Sequence, residues 1–279
     1  MIPKGKLLIV GGHEDKGEIA GENLIVHKKN RPQTHFEILG SLIQKIPRVH
    51  HIIEIIAAAS AFPQEMDELY INAYKKEGFT KVGFIKIENE NDAADTVLIK
   101  RVQTAHAVFF TGGDQNKLVA LLAGTVLLSA IKTKYYADEN FIVAGTSAGA
   151  MAMSENIIAG GIIAEALYKD DIKIVKGFDF IKHIIIDTHF IKRGRFARLA
   201  HAVALSPSCI GIGLGENTAL LISSGNTANC IGSGMVVMID GNKIKYTNIN
   251  VVDDSKPIYI ENLIVSIWVE GCCFKLNDL

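Results

Sequence analysis

The chain reads FIVAGTSAGAMAMS from Phe141 to Ser154, an apolar run followed by small residues around one serine. The run predicts a buried strand, and the residues after Gly149 are compatible with a helix. Ser147 lies between them at the centre of a G-x-S-x-G pattern. Glycines two positions to either side permit a strained turn that exposes the serine hydroxyl at a helix N-terminus, where negative charge is stabilised. The pattern therefore indicates a serine hydrolase, although the pentapeptide alone could arise by chance among 25 glycines.

Apolar runs alternate with helix-compatible stretches through the first two thirds of the chain. The predicted strands are Leu7–Gly11, Ile52–Ala57, Val82–Ile87, Ala107–Thr111, Phe141–Ala144 and Ile184–Asp187. The predicted helices are Thr34–Lys45, Pro63–Lys76, Ala93–Thr104, Asn116–Leu122 and Thr125–Lys134. Continuous apolar runs are typical of parallel strands that are covered on both faces. We therefore predict an α/β fold, a doubly wound, mostly parallel sheet sandwiched by helices, with ligands at the carboxyl ends of the strands.

The sequence becomes β-rich after residue 209. Strands are predicted at Cys209–Gly213 and Ala219–Ser223, a hairpin joins Val236–Ile239 to Lys243–Tyr246, and a last strand covers Leu263–Val269. No repeat or low-complexity linker separates this part from the rest. We expect one catalytic domain over residues 1–279, with residues 230–279 as a β-rich C-terminal extension.

Composition narrows the class of protein. Apolar residues make up 48% and charged residues 21% of the chain, as in a soluble globular protein with a large core. A net charge of −1 gives no field that would attract nucleic acid or an acidic membrane. The apolar start is too short for a secretory signal, and no run of about 18 apolar residues predicts a membrane span. The four cysteines form no C-x-x-C pair, which favours a reduced, cytoplasmic protein.

The first predicted strand leads into Gly11-Gly12-His13-Glu14-Asp15-Lys16. This loop is rich in glycine but has neither phosphate-loop nor dinucleotide-binding spacing, so we expect no cofactor. His13, Glu14 and Asp15 are residue types that bind metals, yet consecutive residues rarely converge on one ion. We therefore expect no metal here, and interpret the segment as a structural or substrate-lining loop.

The fourth predicted strand ends in Thr111-Gly112-Gly113-Asp114-Gln115. Two glycines at a strand end expose backbone N–H groups of the kind that an oxyanion hole requires. The alternative is an ordinary strand-to-helix turn with Asp114 as the helix cap. Gln115 would direct a polar amide toward the same crevice.

The sixth predicted strand leads into a basic segment that begins at Asp187. A serine nucleophile needs a general base, and His189 has the right position among the nine histidines. Arg193, Arg195 and Arg198 follow within nine residues of it. Clustered guanidinium groups suit the recognition of carboxylates. The alternatives are a solvated basic helix or a phosphate-binding patch, and the near-zero net charge argues against nucleic acid.

Glu216 is the acidic residue of the otherwise apolar strand-turn-strand segment from Gly211 to Ala219. A buried carboxylate is costly without a partner, and an imidazolium forming on His189 would supply one. Glu216 would then orient the ring as the third member of a triad. The resulting order, Ser147, His189, Glu216, differs from the serine, acid, histidine order of α/β-hydrolases.

The segments GTSAGA, FFTGGDQ, DTHFIKRGRFARL and GLGENTAL together resemble the cyanophycinase family. These serine-type exopeptidases degrade cyanophycin, a poly-aspartate with arginine on each β-carboxyl, and release β-Asp-Arg dipeptides. The resemblance implies a glutamine amidotransferase-like α/β fold, a homodimer, and Ser147, His189 and Glu216 as nucleophile, base and orienting acid. It further implies an oxyanion hole from the N–H groups of Gly113 and Ala148. The substrate-binding positions that it implies are Gln115, Asp187, Thr188, Arg193, Arg195 and Arg198.

Two positions depart from the family pattern. Thr188 stands where the family usually has glutamine, and Gly215 stands where it often has an acidic residue. A threonine removes the amide donors and acceptor from the expected substrate pocket but leaves the predicted hydrolytic residues unchanged. Two alternatives to a cyanophycinase stay open: an aspartyl dipeptidase or isoaspartyl peptidase, and a peptide-binding protein without turnover. The complete set of three predicted catalytic residues argues against the last.

Overall fold

The computed structural model describes residues 2–16, 37–42, 48–161 and 167–276. Strands in chain order are β1 (Lys6–Val10), β2 (Ile52–Ile56), β3 (Lys81–Ile85), β4 (Ala107–Phe110), β5 (Ile142–Thr146), β6 (Asn156–Gly161), β7 (Ile172–Lys176), β8 (Ile184–Asp187), β9 (Ile210–Leu214), β10 (Thr218–Ser223), β11 (Thr227–Gly232), β12 (Val236–Asp240), β13 (Tyr246–Thr247), β14 (Ile260–Glu261), β15 (Ile264–Trp268) and β16 (Cys273–Lys275). The α-helices are α1 (Glu37–Gly40), α2 (Pro63–Lys76), α3 (Thr96–Thr104), α4 (Gln115–Leu122), α5 (Val126–Ala137), α6 (Ala148–Met151) and α7 (Phe196–Leu205).

Eight strands form the larger sheet in the order β16-β11-β10-β1-β5-β4-β2-β3. The five strands from β1 to β3 in this order are parallel, whereas β10, β11 and β16 pair antiparallel. The strand-helix alternation of the sequence generates the parallel part, because parallel neighbours need a crossover connection. The predicted fold class, a mostly parallel α/β sheet with a β-rich C-terminal part, is confirmed.

Both faces of the larger sheet are covered. Leu8 and Val10 of β1 pack into a core with Tyr70 and Tyr74 of α2. Their neighbours Leu7 and Ile9 pack on the opposite face into a core shared with α3, α5 and α7. Strand side chains alternate between faces, so an uninterrupted apolar run supplies both cores.

A second sheet, in the order β15-β12-β9-β8, packs into the same core as Leu7 and Ile9. Its β8 and β9 are parallel, and its other pairs are antiparallel. β9 and β10 follow each other closely in the chain but lie in different sheets. Their connection carries residues 215–217 across the carboxyl ends of β1 and β8.

The predicted hairpin is wrong. β12 pairs with β9 and β15, and Tyr246 lies instead in β13, which pairs with β14. The turn itself forms, since Asn242 N donates to Asp240 Oδ1 at 2.8 Å. The chain then departs because β9 and β15 already occupy both edges of β12.

Other boundaries agree closely with expectation, and some strands were not predicted. β8 and α2 have the predicted limits. β6, β7, β11, β14 and β16 had no counterpart in the sequence reasoning. Of the predicted helix 34–45, Glu37–Gly40 is helical, while 34–36 and 43–45 lie outside the described residues.

Among the described residues, no single helix is long and apolar enough to span a bilayer. α4 and α5 reach that length and apolar character only as a pair, and a 93° bend separates them.

Candidate active site

Ser147 occupies a sharp turn between β5 and α6. Its φ of 52° lies in the left-handed region, which L-residues rarely adopt, with ψ at −115°. A Cβ on Gly145 would lie 2.7 Å from the carbonyl carbon of Gly149. A Cβ on Gly149 would lie 2.3 Å from the carbonyl oxygen of Phe110. Gly145 is therefore needed for α6 to approach β5, and Gly149 is needed for α6 to approach β4.

The helix behind Ser147 is shorter than the sequence indicated. α6 has four residues, and the chain leaves it after Met151. A helix dipole grows with the number of aligned peptide units, so one turn contributes little of it. Stabilisation of negative charge at this turn depends instead on individual N–H groups.

A chain of hydrogen bonds joins Ser147, His189 and Glu216. The Ser147 Oγ to His189 Nε2 distance is 3.0 Å, and the His189 Nδ1 to Glu216 Oε1 distance is 2.8 Å. With its proton on Nδ1 donated to the carboxylate, the ring presents Nε2 as an acceptor for the serine hydroxyl. This is the geometry that a nucleophile, a general base and an orienting acid require.

Lys192 makes a second contact with the acid. Its Nζ lies 3.1 Å from Glu216 Oε2, the oxygen that does not contact His189. Burial acts to raise the pKa of Glu216, but hydrogen bonds from His189 and Lys192 outweigh it and lower that pKa. The carboxylate is thereby kept ionised beside the imidazole. The sequence reasoning did not identify Lys192, which follows His189 by three residues on the same turn of chain.

The imidazole itself is held in its neutral form. Burial lowers the pKa of His189, and the positive charge of Arg193 lowers it further. The hydrogen bond to Glu216 acts to raise that pKa but does not outweigh them. A neutral ring can accept the Ser147 proton at neutral pH.

The site opens into a cavity of about 350 Å³. It is lined by His13, Glu14, Lys16, Met66, Leu69, Tyr70, Gly112, Gly113, Thr146, Ser147, His189 and Arg193. The loop after β1 contributes three of these residues, in agreement with the interpretation of that loop as part of the site wall. A larger cavity, about 640 Å³, is lined by other residues that include Tyr135, Phe180 and His183, so it is separate from Ser147.

Gly113 lines this cavity, and Ala148 directly follows Ser147 in the chain. Among the described residues, neither Gly113 N nor Ala148 N donates to another protein group. Gly113 has a φ of 140°, and a Cβ there would lie 2.0 Å from the carbonyl oxygen of Ala59. Asp114 caps α4 by accepting from Asn116 N at 2.8 Å. The turn thus serves as a helix cap and still leaves its glycine N–H unpaired.

The three arginines of the basic segment have different environments. Arg193 is exposed and lines the cavity. Arg195 and Arg198 are buried, and both donate to Asp187, which has no exposed surface. Arg195 Nη1 also donates to Thr188 O at 2.7 Å. The structure therefore brings Arg193 alone to the cavity and gives the other two an internal counter-ion.

Thr188 and Gln115 also lie away from the cavity. Thr188 is fully buried, and its hydroxyl has no hydrogen-bond partner among the described residues. Gln115 Nε2 donates to Ile158 O at 3.0 Å, which ties α4 to β6. For Asp187, Thr188, Arg195, Arg198 and Gln115, binding to substrate remains a prediction, and the observed contacts offer a structural role instead.

In the loop after β1, the side chain of Glu14 has hydrogen-bond partners within the protein, in place of the metal ion that its residue type could bind. Glu14 is buried and accepts hydrogen bonds from Tyr70 and Thr146, so its oxygens are already occupied. In the described part of the chain, no group of three or more histidine, cysteine or acidic side chains is arranged to hold a metal ion.

The fold and this site define a serine-type peptidase of the α/β class. A sequence model of peptidase family S51 matches residues 26–230, and the chain belongs to that family. A solved structure described as a peptidase from an acI-B1 Actinobacterium has the same fold, with a TM-score of 0.65 and 22% identity, over 99% of this chain and 98% of that one.

The relatives of this chain include cyanophycinases from several organisms. That of Synechococcus elongatus is 30% identical over 98% of this chain and 80% of its own length. That of Geminocystis herdmanii is 31% identical over 96% of this chain and 92% of its own length. That of a Nostoc species is 30% identical over 98% of this chain and 86% of its own length. The resemblance to the cyanophycinase family is confirmed.

Proposed function

We propose that this peptidase hydrolyses cyanophycin and releases β-Asp-Arg dipeptides from the end of the polymer. The hydrogen-bonded chain of Ser147, His189 and Glu216 carries the proposal, and it is supported by the N–H groups of Gly113 and Ala148, which donate to no other described group. The similarity to cyanophycinases over almost the whole chain supports this choice of substrate.

The proposed reaction begins with attack of Ser147 Oγ on the scissile carbonyl carbon. His189 Nε2 takes the hydroxyl proton as the carbon–oxygen bond forms, and Glu216 stabilises the resulting imidazolium. We assign the N–H groups of Gly113 and Ala148 as the donors to the oxyanion, because neither donates to another group among the described residues. His189 then gives the proton to the departing amine, which leaves an acyl-enzyme ester on Ser147.

Hydrolysis of the ester repeats these roles with water as the nucleophile. His189 takes a proton from water, the carbonyl carbon is attacked, and the proton returns to Ser147 Oγ as the acid product leaves. The enzyme is regenerated, and each turnover consumes one water molecule.

Arg193 is the best-placed group for a substrate carboxylate. It is exposed, lines the cavity, and carries a guanidinium that can bind a carboxylate through two hydrogen bonds. We propose that it binds the carboxylate of the terminal β-Asp-Arg unit.

Short β-aspartyl peptides are a second candidate substrate. A cavity of about 350 Å³ lies at the low end of ligand pockets, a size suited to one dipeptide unit. This size favours cleavage near a chain end, and it fits an isoaspartyl peptidase equally well.

Digestion assays separate these possibilities. The protein is incubated with cyanophycin, β-Asp-Arg, α-linked Asp-Arg and isoaspartyl peptides, and the products are identified by mass spectrometry. We expect β-Asp-Arg from the polymer and no product from Ser147→Ala. Cleavage of isoaspartyl peptides alone would favour the second candidate, and no product from any substrate would refute both.

The resemblance further suggests a cytoplasmic homodimer. Light scattering on the purified protein tests the oligomeric state, and a monomer at all concentrations would contradict it.

A further inference from the structure

The end of β1 and the loop that follows it hold the backbone of all three proposed catalytic segments. Val10 O accepts from Ser147 N at 3.1 Å, and Gly11 O accepts from His189 N at 2.8 Å. Gly12 O accepts from the N–H of residue 217, next to Glu216, at 3.0 Å. Three successive carbonyl groups therefore set the relative positions of nucleophile, base and acid. We call residues 10–16 the bracket loop.

Each of these three attachment points has a left-handed backbone. The φ angles are 52° at Ser147, 49° at His189 and 47° at Asn217. Such conformations are strained for residues other than glycine, and they persist only where surrounding contacts enforce them. The bracket loop must therefore be firmly anchored.

Glu14 is the buried side chain that anchors it. Its Oε2 accepts from Thr146 Oγ1 at 2.6 Å, and its Oε1 accepts from the Tyr70 hydroxyl. Lys16 Nζ lies 3.3 Å from the same Oε1. These contacts join the bracket loop to α2 and to the residue that immediately precedes Ser147.

The charge of Glu14 fixes the direction of its hydrogen bonds with Thr146 and Tyr70. Burial acts to raise the pKa of Glu14, but Lys16 and the hydrogen bonds from Thr146 and Tyr70 outweigh it and lower that pKa. An ionised carboxylate only accepts, so both hydroxyl protons must point toward it. Charge-assisted bonds of this kind are shorter and stronger than neutral ones.

We propose that Glu14 is a positioning residue for the nucleophile. Its carboxylate holds Thr146 and the bracket loop so that the strained turn keeps Ser147 Oγ within hydrogen-bond distance of His189. The inference rests on the proposed function, in which Ser147 attacks the substrate.

Two near-isosteric variants test the contact. Glu14→Gln cannot accept from both hydroxyl groups in the present geometry, and Thr146→Val removes one donor without changing the side-chain shape. We expect each to lower kcat about 10- to 100-fold, because small displacements of reacting groups have effects of this size. KM should change less than about threefold. The rate at which a fluorophosphonate labels Ser147 should fall in parallel with kcat.

Combining the variants tests whether they disrupt one contact. The double variant should lose no more activity than the worse single variant, because residues that share an interaction are not additive. Losses that multiply would overturn the proposal. If Glu14→Gln does not fold, Thr146→Val alone decides the question: labelling at the wild-type rate would overturn it.

Glu54→Gln is a matched control. Glu54 is also a buried carboxylate, but it pairs with Arg101 of α3. We expect this variant to keep kcat and labelling rate at a temperature where circular dichroism shows every variant folded. An equal loss of kcat in Glu54→Gln would trace the effect to stability and overturn the positioning role. Failure of wild-type protein to react with the fluorophosphonate would instead refute the proposed function.

Discussion

Replacing Asp187 by asparagine should strongly destabilise the fold. The side chain keeps its shape but loses the charge that two buried guanidinium groups share. Asp187 has no exposed surface, and the side chains of Arg195 and Arg198 are only 11% and 7% exposed. Solvent therefore cannot compensate for the missing charge.

The expected size follows from this burial. Removing one partner of a buried ion pair costs about 3–5 kcal/mol, because it leaves uncompensated charge inside the protein. At about 2–4 °C per kcal/mol for a chain of this size, Tm should fall by roughly 6–20 °C. Burial also lowers the pKa of Arg195, and the pairing with Asp187 opposes this, which agrees with an internal role for the carboxylate.

Arg193→Gln is the matched comparison. Because Arg193 is exposed, the free energy of unfolding should change by less than about 0.5 kcal/mol. KM for cyanophycin should rise about ten- to a hundred-fold if Arg193 binds a substrate carboxylate. Thermal and urea unfolding without substrate, together with steady-state kinetics, measure both variants. An Asp187→Asn protein that melts within about 2 °C of wild type would refute the internal role.

Three further predictions follow from the site. The fall of kcat/KM at acid pH should have its midpoint below the ordinary histidine pKa of about 6.5, because burial lowers the pKa of His189 and only the neutral ring accepts a proton. A midpoint above that value would contradict a buried histidine base. Gly12→Ala should lower kcat more than about 100-fold, since the alanine Cβ would lie 2.5 Å from His189 Nε2 and displace the ring. A kcat close to that of wild type would show that the loop can move away from His189 and would contradict this prediction. Thr188→Val should leave Tm unchanged or raise it, because the lost hydroxyl has no hydrogen-bond partner among the described residues. Thr188→Gln should lower Tm, because the larger side chain must fit into a fully buried position. A Thr188→Gln variant that is as stable as wild type and has an altered substrate preference would show that residue 188 contacts the substrate.

Local patterns in the sequence predicted the strand-turn-helix around Ser147. The glycine spacing is a local steric requirement, and the structure shows the close contacts that impose it. The parallel strands could also be predicted from the sequence, because their apolar runs are continuous. The hairpin after Asp240 was wrong because the partner of a strand depends on distant segments, here β9 and β15.

The environments of polar side chains could not be read from the sequence. The segment 187–198 places an acid and three arginines together, but only the tertiary structure determines which guanidinium faces the cavity. The contacts of Glu14 are a stronger case, since its partners Tyr70 and Thr146 lie 56 and 132 residues away. No local spacing signals such contacts.

Mapping the site of a fluorophosphonate adduct tests the central claim most directly. The protein is treated with the reagent, and intact-mass and peptide mass spectrometry locate the modification. We predict one adduct, on Ser147, that is absent in Ser147→Ala and forms much more slowly in His189→Ala. An adduct on another residue, or labelling that does not depend on His189, would contradict the assignment of Ser147 as a histidine-activated nucleophile.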